Sequence, residues 1–355
     1  LTRIYRFVNT VLLALIVLLG LSGVVMLYGT WLPWLYDLHR IAGFALIVLL
    51  PWKAIIIYRS LIRGMDKTFD RSWLLLASWG MLHIILIIII VALIWMWRVG
   101  PYSILGQTLI AWHWILGLLV IPWLALHIWR RWPRPTRQDL LSRRSFLQML
   151  GVVGAGIVLG ELANFTAQAQ STAQAPRRFT GSRGFGLFTG NNFPIFGEAT
   201  LLVDSGAWRL AVEGAVASPM VLTYQELLAM AQQAIDAVID CTSGWYSLQN
   251  WKGAPLVDLL AQAGAGEDVV GVRLVSATGY HHTFPVQEAR TILLATHVSG
   301  QVLAPRHGFP LRAVVPDRRG WFWVKWLSRI EVLDSPWQVA AGTLDSPLQV
   351  LKQWQ

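Results

Sequence analysis

Hydrophobic positions divide the chain into two halves of different character. Four apolar runs, at residues 7–28, 38–58, 73–97 and 104–129, are each long enough to cross a bilayer as a helix. A fifth run, residues 146–160, is about 15 residues long, short for a permanent span and the length of a signal segment. Beyond residue 179 the pattern becomes short and alternating, with Gly and Pro turns. Trp208-Arg209-Leu210-Ala211-Val212 alternates as a strand does, and Val216-Ala217-Ser218-Pro219 reads as the turn after it. Residues 222–234 predict a helix with Thr223 as its N-cap. Ala237-Val238-Ile239-Asp240-Cys241 predicts a strand ending in the cysteine, residues 256–263 a short helix, and Val272-Arg273-Leu274-Val275 another strand. Residues 310–316 and 323–332 complete the strand-rich part. The expected architecture is multi-domain. An all-α four-helix transmembrane bundle occupies 1–132, a signal or anchor helix with its linker 133–176, an α+β domain with a mainly antiparallel, barrel-like sheet 177–335, and a tail 336–355.

Charge sharpens this division. The formal net charge is +10, and residues 1–175 carry all of it, since Lys and Arg balance Asp and Glu in 176–355. The soluble half therefore lacks the basic excess that nucleic acid would require. In the membrane half the charges give orientation. Arg3 and Arg6 precede the first span, Arg59, Arg63, Lys67 and Arg71 fill the second connection, and Arg130, Arg131, Arg134, Arg137, Arg143 and Arg144 follow the fourth span. The other two connections hold little beyond Arg40 and Arg98. The positive-inside rule then places both ends of the bundle in the cytoplasm and the soluble half outside it. The 20 tryptophans include a group at the span ends, where interfacial belts form.

Pro133 and Pro135 end the fourth span. Ser142-Arg143-Arg144-Ser145-Phe146-Leu147, followed by a Gly- and Val-rich run, has the layout of a twin-arginine export signal. Ala167-Gln168-Ala169 and Ala173-Gln174-Ala175 have the small-residue pattern of cleavage sites. Cleavage would free the second half, whereas an uncut helix would tether it.

Ionisable groups inside a membrane are costly, so four intramembrane histidines point to a site. His39 lies in span two, His83 in span three, and His113 and His127 in span four. The last two are fourteen residues apart, close to four turns, so they share a face roughly 21 Å apart along the axis. Such a helix can ligate two haem irons. The expected pairs are His39 with His113 and His83 with His127. Gly43, Gly117 and Gly80 lie within a turn of these ligands, and Gly20 and Gly23 on span one. Missing side chains there would admit a flat macrocycle. The competing reading is that the glycines only help helices pack and the histidines bond between helices. The arrangement resembles the membrane-embedded diheme b-type cytochromes that pass electrons between quinones and periplasmic oxidoreductases. The position of His83 in span three leaves a single-haem module open.

Cys241 is the single cysteine, which excludes an intrachain disulfide. It closes a strand and opens a polar turn, Thr242-Ser243-Gly244-Trp245, a place from which a thiolate can meet a soft metal. Cys241-Thr-Ser-Gly-Trp245 and Trp251-Lys-Gly253-Ala-Pro255-Leu256 resemble the molybdenum-binding core of the sulfite oxidase family. The run from Gly300 through His307 to Pro316, and the stretch from Val324 to Ile330, fit the same pattern. Asn191-Asn192-Phe193 with Phe196-Gly197 is similar to the start of the bacterial periplasmic branch that includes protein-methionine-sulfoxide reductases. The resemblance implies a molybdenum held by one molybdopterin dithiolene, oxo groups and the Cys241 thiolate. It also implies that Asn191 or Asn192, His307, Arg312 and Lys325 line the cofactor or bind its phosphate, in keeping with the preference of an anionic phosphate for Arg and Lys. Sulfite-oxidising members carry arginines just after the cysteine, whereas Thr242, Ser243 and Gly244 stand here. That favours a neutral or bulkier substrate meeting an aromatic rim of Trp245 and Tyr246, with His281 or His282 delivering a proton.

These expectations describe a membrane-bound molybdenum oxidoreductase that exchanges electrons with quinone through b-type haems and reduces an S- or N-oxide. Its expected location is the bacterial inner membrane, with the catalytic domain on the periplasmic side. Two other readings are a dehydrogenase of sulfite or another sulfur compound, and a metal-free tethered binding or assembly module.

Overall fold

The computed structural model describes residues 2–27, 32–62, 69–97, 103–105, 107–131, 136, 142–169, 177–184, 188–195, 199–230 and 232–342. Arg63, Lys67, Arg98, Pro133, Arg134, Pro135, Arg137, the stretch 173–175, Phe196, Gly197 and the tail from 343 lie outside the described residues. The chain forms two compact units, residues 1–183 and 184–355.

The first unit is helical: α1 (Thr2–Leu27), α2 (Pro33–Ile62), α3 (Phe69–Trp97), α4 (Leu109–Arg131) and α5 (Arg143–Ala169). Each contains a stretch long and apolar enough to cross a membrane. Between α3 and α4 a small hairpin pairs β1 (Ser103–Ile104) with β2 (Gln107–Thr108), so the fourth helix starts five residues later than the apolar run at 104. Large apolar side chains such as Leu21, Leu119 and Phe165 are exposed, the reverse of a water-facing bundle. An inner cluster of Phe7, Val11, Leu46, Leu49 and Leu82 holds α1, α2 and α3 together.

Helix α5 is a full-length member of this unit. Its buried face is small: Val152, Gly156, Gly160, Ala163 and Ala167. A Cβ added at Gly156 would fall 2.8 Å from the Ala45 Cβ and 2.9 Å from the Ile41 carbonyl oxygen, so α2 approaches closer than any side chain would allow. Arg40 on α2 pairs with Glu161 on α5 at 2.9 Å, and Trp97 Nε1 donates to Thr166 at 3.0 Å. The cleavage-like Ala167-Gln168-Ala169 is helical, with Ala167 fully buried.

After the short strand β3 (Arg183–Gly184), the second unit is α+β. Its strands are β4 (Arg209–Gly214), β5 (Met220–Thr223), β6 (Gln233–Asp240), β7 (Trp245–Pro255), β8 (Gly271–Ser276), β9 (His281–Pro285), β10 (Leu293–Val298), β11 (Gln301–Val302), β12 (Arg312–Val314) and β13 (Leu327–Leu333). In one sheet β7 lies between β6 and β10, and β10 also pairs with β11 and β12, all antiparallel. The other has the order β5-β4-β13-β8-β9, with β4 and β13 parallel. The expected barrel-like sheet is thus two sheets, and apolar side chains such as Leu210, Trp251, Leu256, Leu274, Leu294 and Val314 form one core.

Short helices α6 (Tyr224–Ala229), α7 (Leu256–Gln262) and α8 (Val286–Ala289) link the strands. Thr223 caps α6 with a full capping box: its hydroxyl accepts from the Glu226 N–H at 3.2 Å, and the Glu226 carboxylate accepts from the Thr223 N–H at 2.8 Å. The helix ends at Ala229 rather than 234, because residues 233–240 pair along β7 instead. Gln232 Nε2 closes the end by donating to the Leu227 and Met230 carbonyls.

Candidate functional site

In the helical unit, α2 and α4 bring the rings of His39 and His113 to 6.1 Å between centroids, with planes at 77°. His113 Nδ1 donates to the Ile88 carbonyl at 3.1 Å. His39 Nδ1 lies 2.8 Å from Ser22 Oγ, whose own proton goes to the Leu18 carbonyl at 2.7 Å. Each Nδ1 is therefore occupied and each Nε2 keeps its lone pair, which is how partners outside a metal site orient imidazole ligands. Two imidazoles bonded on opposite sides of one metal, at about 2 Å each, would have centroids separated by about what is seen. Cβ atoms added to Gly20, Gly43 and Gly117 would meet nothing within 4 Å, and one at Gly23 would touch His39 Cε1 at 3.6 Å. The residues fit a bis-imidazole haem.

His83 and His127 are placed differently. The His83 ring is exposed, donates through Nδ1 to the Trp79 carbonyl at 2.8 Å and packs edge-on against Trp79. His127 lies beside Ser78, at 3.4 Å, on the wall of a cavity that His83 does not line. Gly80 faces Trp123 rather than an open space.

In the second unit the β6–β7 hairpin sets Cys241. Asp240 pairs with Tyr246 as the last rung, the Cys241 N–H donates to the Trp245 carbonyl at 2.8 Å, and the Gly244 N–H donates to the Cys241 carbonyl at 2.9 Å. Gly244 has φ +90°, a conformation that favours glycine and lets the loop close in so few residues. Cys241 Sγ lies 3.0 Å from Ser243 Oγ. Burial pushes the thiol pKa up, while the Ser243 hydrogen bonds and the Arg319 charge pull the other way.

Arg319 is the residue that the sequence reading missed. It enters beside the strand end through an isolated bridge to Asp240, places Nη1 at 3.4 Å from the fully buried Asp240 carboxylate, and donates from Nη2 to the Cys241 carbonyl at 3.3 Å. Its neighbour Arg318 is clamped by Glu288 on α8, with Nε and Nη2 at 2.6 and 2.8 Å from the two carboxylate oxygens. The signal was the Arg318-Arg319 pair itself, which the strand-and-turn pattern gave no reason to single out.

A second cluster joins this one through Phe193, whose ring lies 5.8 Å from Trp245 and 3.9 Å from His307. Arg312, 4% exposed, donates to the His307 carbonyl at 3.1 Å and sits over Phe193, Trp251 and Trp323 at 5.7 to 5.8 Å. Lys325 Nζ lies 4.4 Å from the Trp326 ring centre. Gly308, at φ +106°, lets the backbone pass against Lys325. His307 is fully buried. Its Nε2 meets the Asn191 carbonyl at 2.9 Å and Arg306 Nε at 3.1 Å, while Nδ1 has no hydrogen-bond partner. Burial first, then the charges of Arg312, Arg306 and Lys325, pull the His307 pKa down to about 4 against the opposing effect of the Asn191 carbonyl.

Among the described residues no group of three or more His, Cys, Asp and Glu is placed to hold a metal ion. A metal at Cys241 would therefore need its other ligands from a cofactor. The buried His307 Nδ1 and Arg319 Nε, both lacking protein partners, and the cations around them suit an anionic organic group. The residues fit a molybdopterin.

Comparison with known proteins agrees. A family model for the oxidoreductase molybdopterin binding domain matches residues 197–340. The uncharacterized oxidoreductase YuiH of Bacillus subtilis is 34% identical over 145 residues, which cover 39% of this chain and 73% of that protein. The chain belongs to the molybdopterin-binding oxidoreductases of the sulfite oxidase family. Two further relatives are named for protein-methionine-sulfoxide reduction. The catalytic subunit MsrP of Gluconobacter oxydans is 27% identical over 237 residues, 58% of this chain and 75% of that protein. The putative subunit YedZ1 of Azospira oryzae is 27% identical over 220 residues, 56% of this chain and 83% of that protein. That share is more than residues 197–355 can supply, so the likeness to YedZ1 extends N-terminal to the molybdopterin-binding domain.

Within this molybdopterin-binding domain the expected site residues take distinct places. Asn191 is spent on the protein: its side chain donates to the Val302 carbonyl and Gln301 and accepts from the Ala304 N–H. Asn192 is exposed and is the one of the two whose side chain is turned to solvent. Trp245 is not a rim residue. It is 5% exposed and packs under the site against Phe188 and Phe193. Tyr246 is half-buried and follows it along β7, where successive side chains face opposite ways, so the two cannot line one edge. His281 begins β9 with its ring near the Gly279 carbonyl at 3.1 Å. His282 is buried, 2.7 Å from the Tyr280 hydroxyl, against Trp321 and Phe322 of the turn that follows Arg319. Burial, with His281 adding to it, pulls the His282 pKa down to about 3, which removes it as a proton donor near neutrality.

Proposed function

We propose that this oxidoreductase reduces a neutral S- or N-oxide outside the cytoplasmic membrane with electrons taken from quinol through the helical unit. The observation that carries the reading is Cys241, set at a strand end beside buried cationic and unpartnered groups. Molybdenum bound there supplies two-electron oxygen-atom exchange. The balance is an oxide plus two electrons and two protons giving the reduced compound and water, while quinol gives up two electrons and two protons. Cys241 would hold the metal, and Arg312, Lys325 and His307 would hold the pterin. The turn that follows Cys241 is Thr242-Ser243-Gly244 and carries no arginine of its own for a dianion such as sulfite. The names of MsrP and YedZ1 support a sulfoxide.

His39 and His113 would hold a b-type haem for one-electron transfer. Arg143 and Arg144 would direct the export of a domain folded around its cofactor, with the catalytic unit on the periplasmic side and α5 kept as its tether. A sulfur-compound dehydrogenase is the same chain run in the oxidising direction. Metal analysis of the purified full chain together with a reduced-minus-oxidised spectrum tests the reading. Molybdenum lost in Cys241→Ala and a b-haem band lost in His113→Ala are expected. A chain with neither metal nor haem is instead a binding or assembly module.

A further inference from the structure

Helices α1, α2, α3 and α4 enclose a cavity of about 220 Å³ whose wall is mostly apolar, with Leu12, Leu46, Leu50 and Ile85 among its residues. Among the described residues the wall carries no Asp or Glu. Of its polar members, Ser60 turns its hydroxyl back to the Ile56 carbonyl at 2.8 Å, and Ser78 and His127 lie 3.4 Å apart. Lys53 is different. Its Nζ donates to the amide oxygen of Asn9, another wall residue, at 2.8 Å. An ammonium has three N–H donors, and Asn9 accepts one of them. A charged donor in an apolar wall calls for a ligand that is itself mostly apolar and presents an oxygen acceptor. The volume is below the roughly 300 Å³ at which pockets for drug-sized ligands begin, so the space suits a small ring system and not a macrocycle. Leu13, Ile56 and Ile128 in the wall are half-buried, which leaves a way out between the helices for a lipid-like tail.

We propose that this cavity seats the headgroup of a lipid-soluble quinol or quinone, with a ring oxygen accepting from Lys53 Nζ beside Asn9 and the tail running out between the helices. The inference rests on the quinol reading of the helical unit and gives that substrate a place. A neutral ring with an oxygen at its edge satisfies the ammonium without bringing a second charge into the bundle. The same lysine would hold the oxygen more firmly as the quinol gives up its proton, because hydrogen bonds between ionised partners are the stronger ones. His127 follows His113 by fourteen residues on α4, so the headgroup would lie about four turns, roughly 21 Å, from the level of the His39–His113 pair. Substrate and outer histidines are then two separate sites in one bundle.

The test uses the full chain in detergent and measures equilibrium binding of radiolabelled decylubiquinone, a short-tailed benzoquinone, together with reduction of the b-haem band by the corresponding quinol. The wild-type chain is expected to bind one molecule. Lys53→Met, which keeps the length and removes the donors, should weaken binding about tenfold. Leu13→Trp, a half-buried wall position, should abolish it by filling the space. Circular dichroism and gel filtration show for each variant that the bundle is intact. Binding left unchanged by either substitution in an intact bundle would overturn the site; if the quinol still reduces the haem, the quinol reading stands and its site lies elsewhere. No binding by the wild-type chain and no reduction of its haem by quinol would overturn the quinol reading and this inference together. Binding that both substitutions weaken in a chain without a b-haem band would uphold the site and overturn the haem reading alone.

Discussion

Arg319 holds the fully buried Asp240 carboxylate at 3.4 Å and donates to the Cys241 carbonyl across 78 residues of sequence. Removing the guanidinium takes the positive charge from beside the buried Asp240 carboxylate, next to Cys241. Arg319→Ala is expected to cost about 3 kcal/mol of stability and to lower molybdenum content. Asp240→Asn in the same chain should recover most of the stability, because the uncompensated charge is gone. Urea denaturation of the four members of this cycle checks it; an additive result would mean that the two side chains act independently.

Trp245 and Tyr246 should separate by readout. Trp245→Ala opens a void under Phe193 and is expected to cost about 3 to 5 kcal/mol, with loss of cofactor as a consequence. Tyr246→Ala, on the other face of β7, should cost less than about 1 kcal/mol. Equal destabilisation by the two would contradict the inward packing of Trp245.

Acid should weaken the second unit through its buried histidines. His282 and His307 are held neutral in the folded state, with pKa values near 3 and 4 against 6.5 unfolded. Below pH 6.5 the unfolded chain binds protons that the folded one refuses, so stability is full above that value and falls as pH drops towards 3 to 4. The measurement is the unfolding midpoint from pH 7 to pH 4, and His282→Gln should flatten its acid limb. An unchanged slope would remove His282 from the account.

Gly156→Leu should separate α5 from α2, since even a Cβ there meets Ala45 and Ile41. The expected result is easier proteolysis between the two units and a lower yield of intact chain, with Gly151→Leu, where nothing lies within 4 Å, as the tolerated control. Similar behaviour of the two variants would argue against close packing at Gly156.

Local chemistry was readable wherever one residue type answers one local need. The long apolar runs, the Thr223 cap and the turn after Cys241 belong to that class. The end of α6 was not, because the sequence after Ala229 has no strong breaker and the strand state of Gln233 and Ala234 is set by pairing with β7. Arg319 was hidden for a related reason: what makes it part of the site is a contact with Asp240 and Cys241 that no local pattern encodes. His83 stands apart from the other three histidines in a way no local pattern encodes: its ring is exposed on α3 and its Nδ1 meets the Trp79 carbonyl, while the cavity wall that carries His127 does not include it.

The close seating of Gly156 on Ala45 and Ile41 also has a meaning in time. A helix built to be discarded has no need of a fitted seat, and here the seat lies on α2, a helix made well before α5. If the second unit is exported only after it has folded, α2 must wait with that face open until the transport event delivers α5. Completion of the membrane unit would then report that its catalytic partner has arrived, so that chains that fail quality control in the cytoplasm would be left with an unfinished bundle.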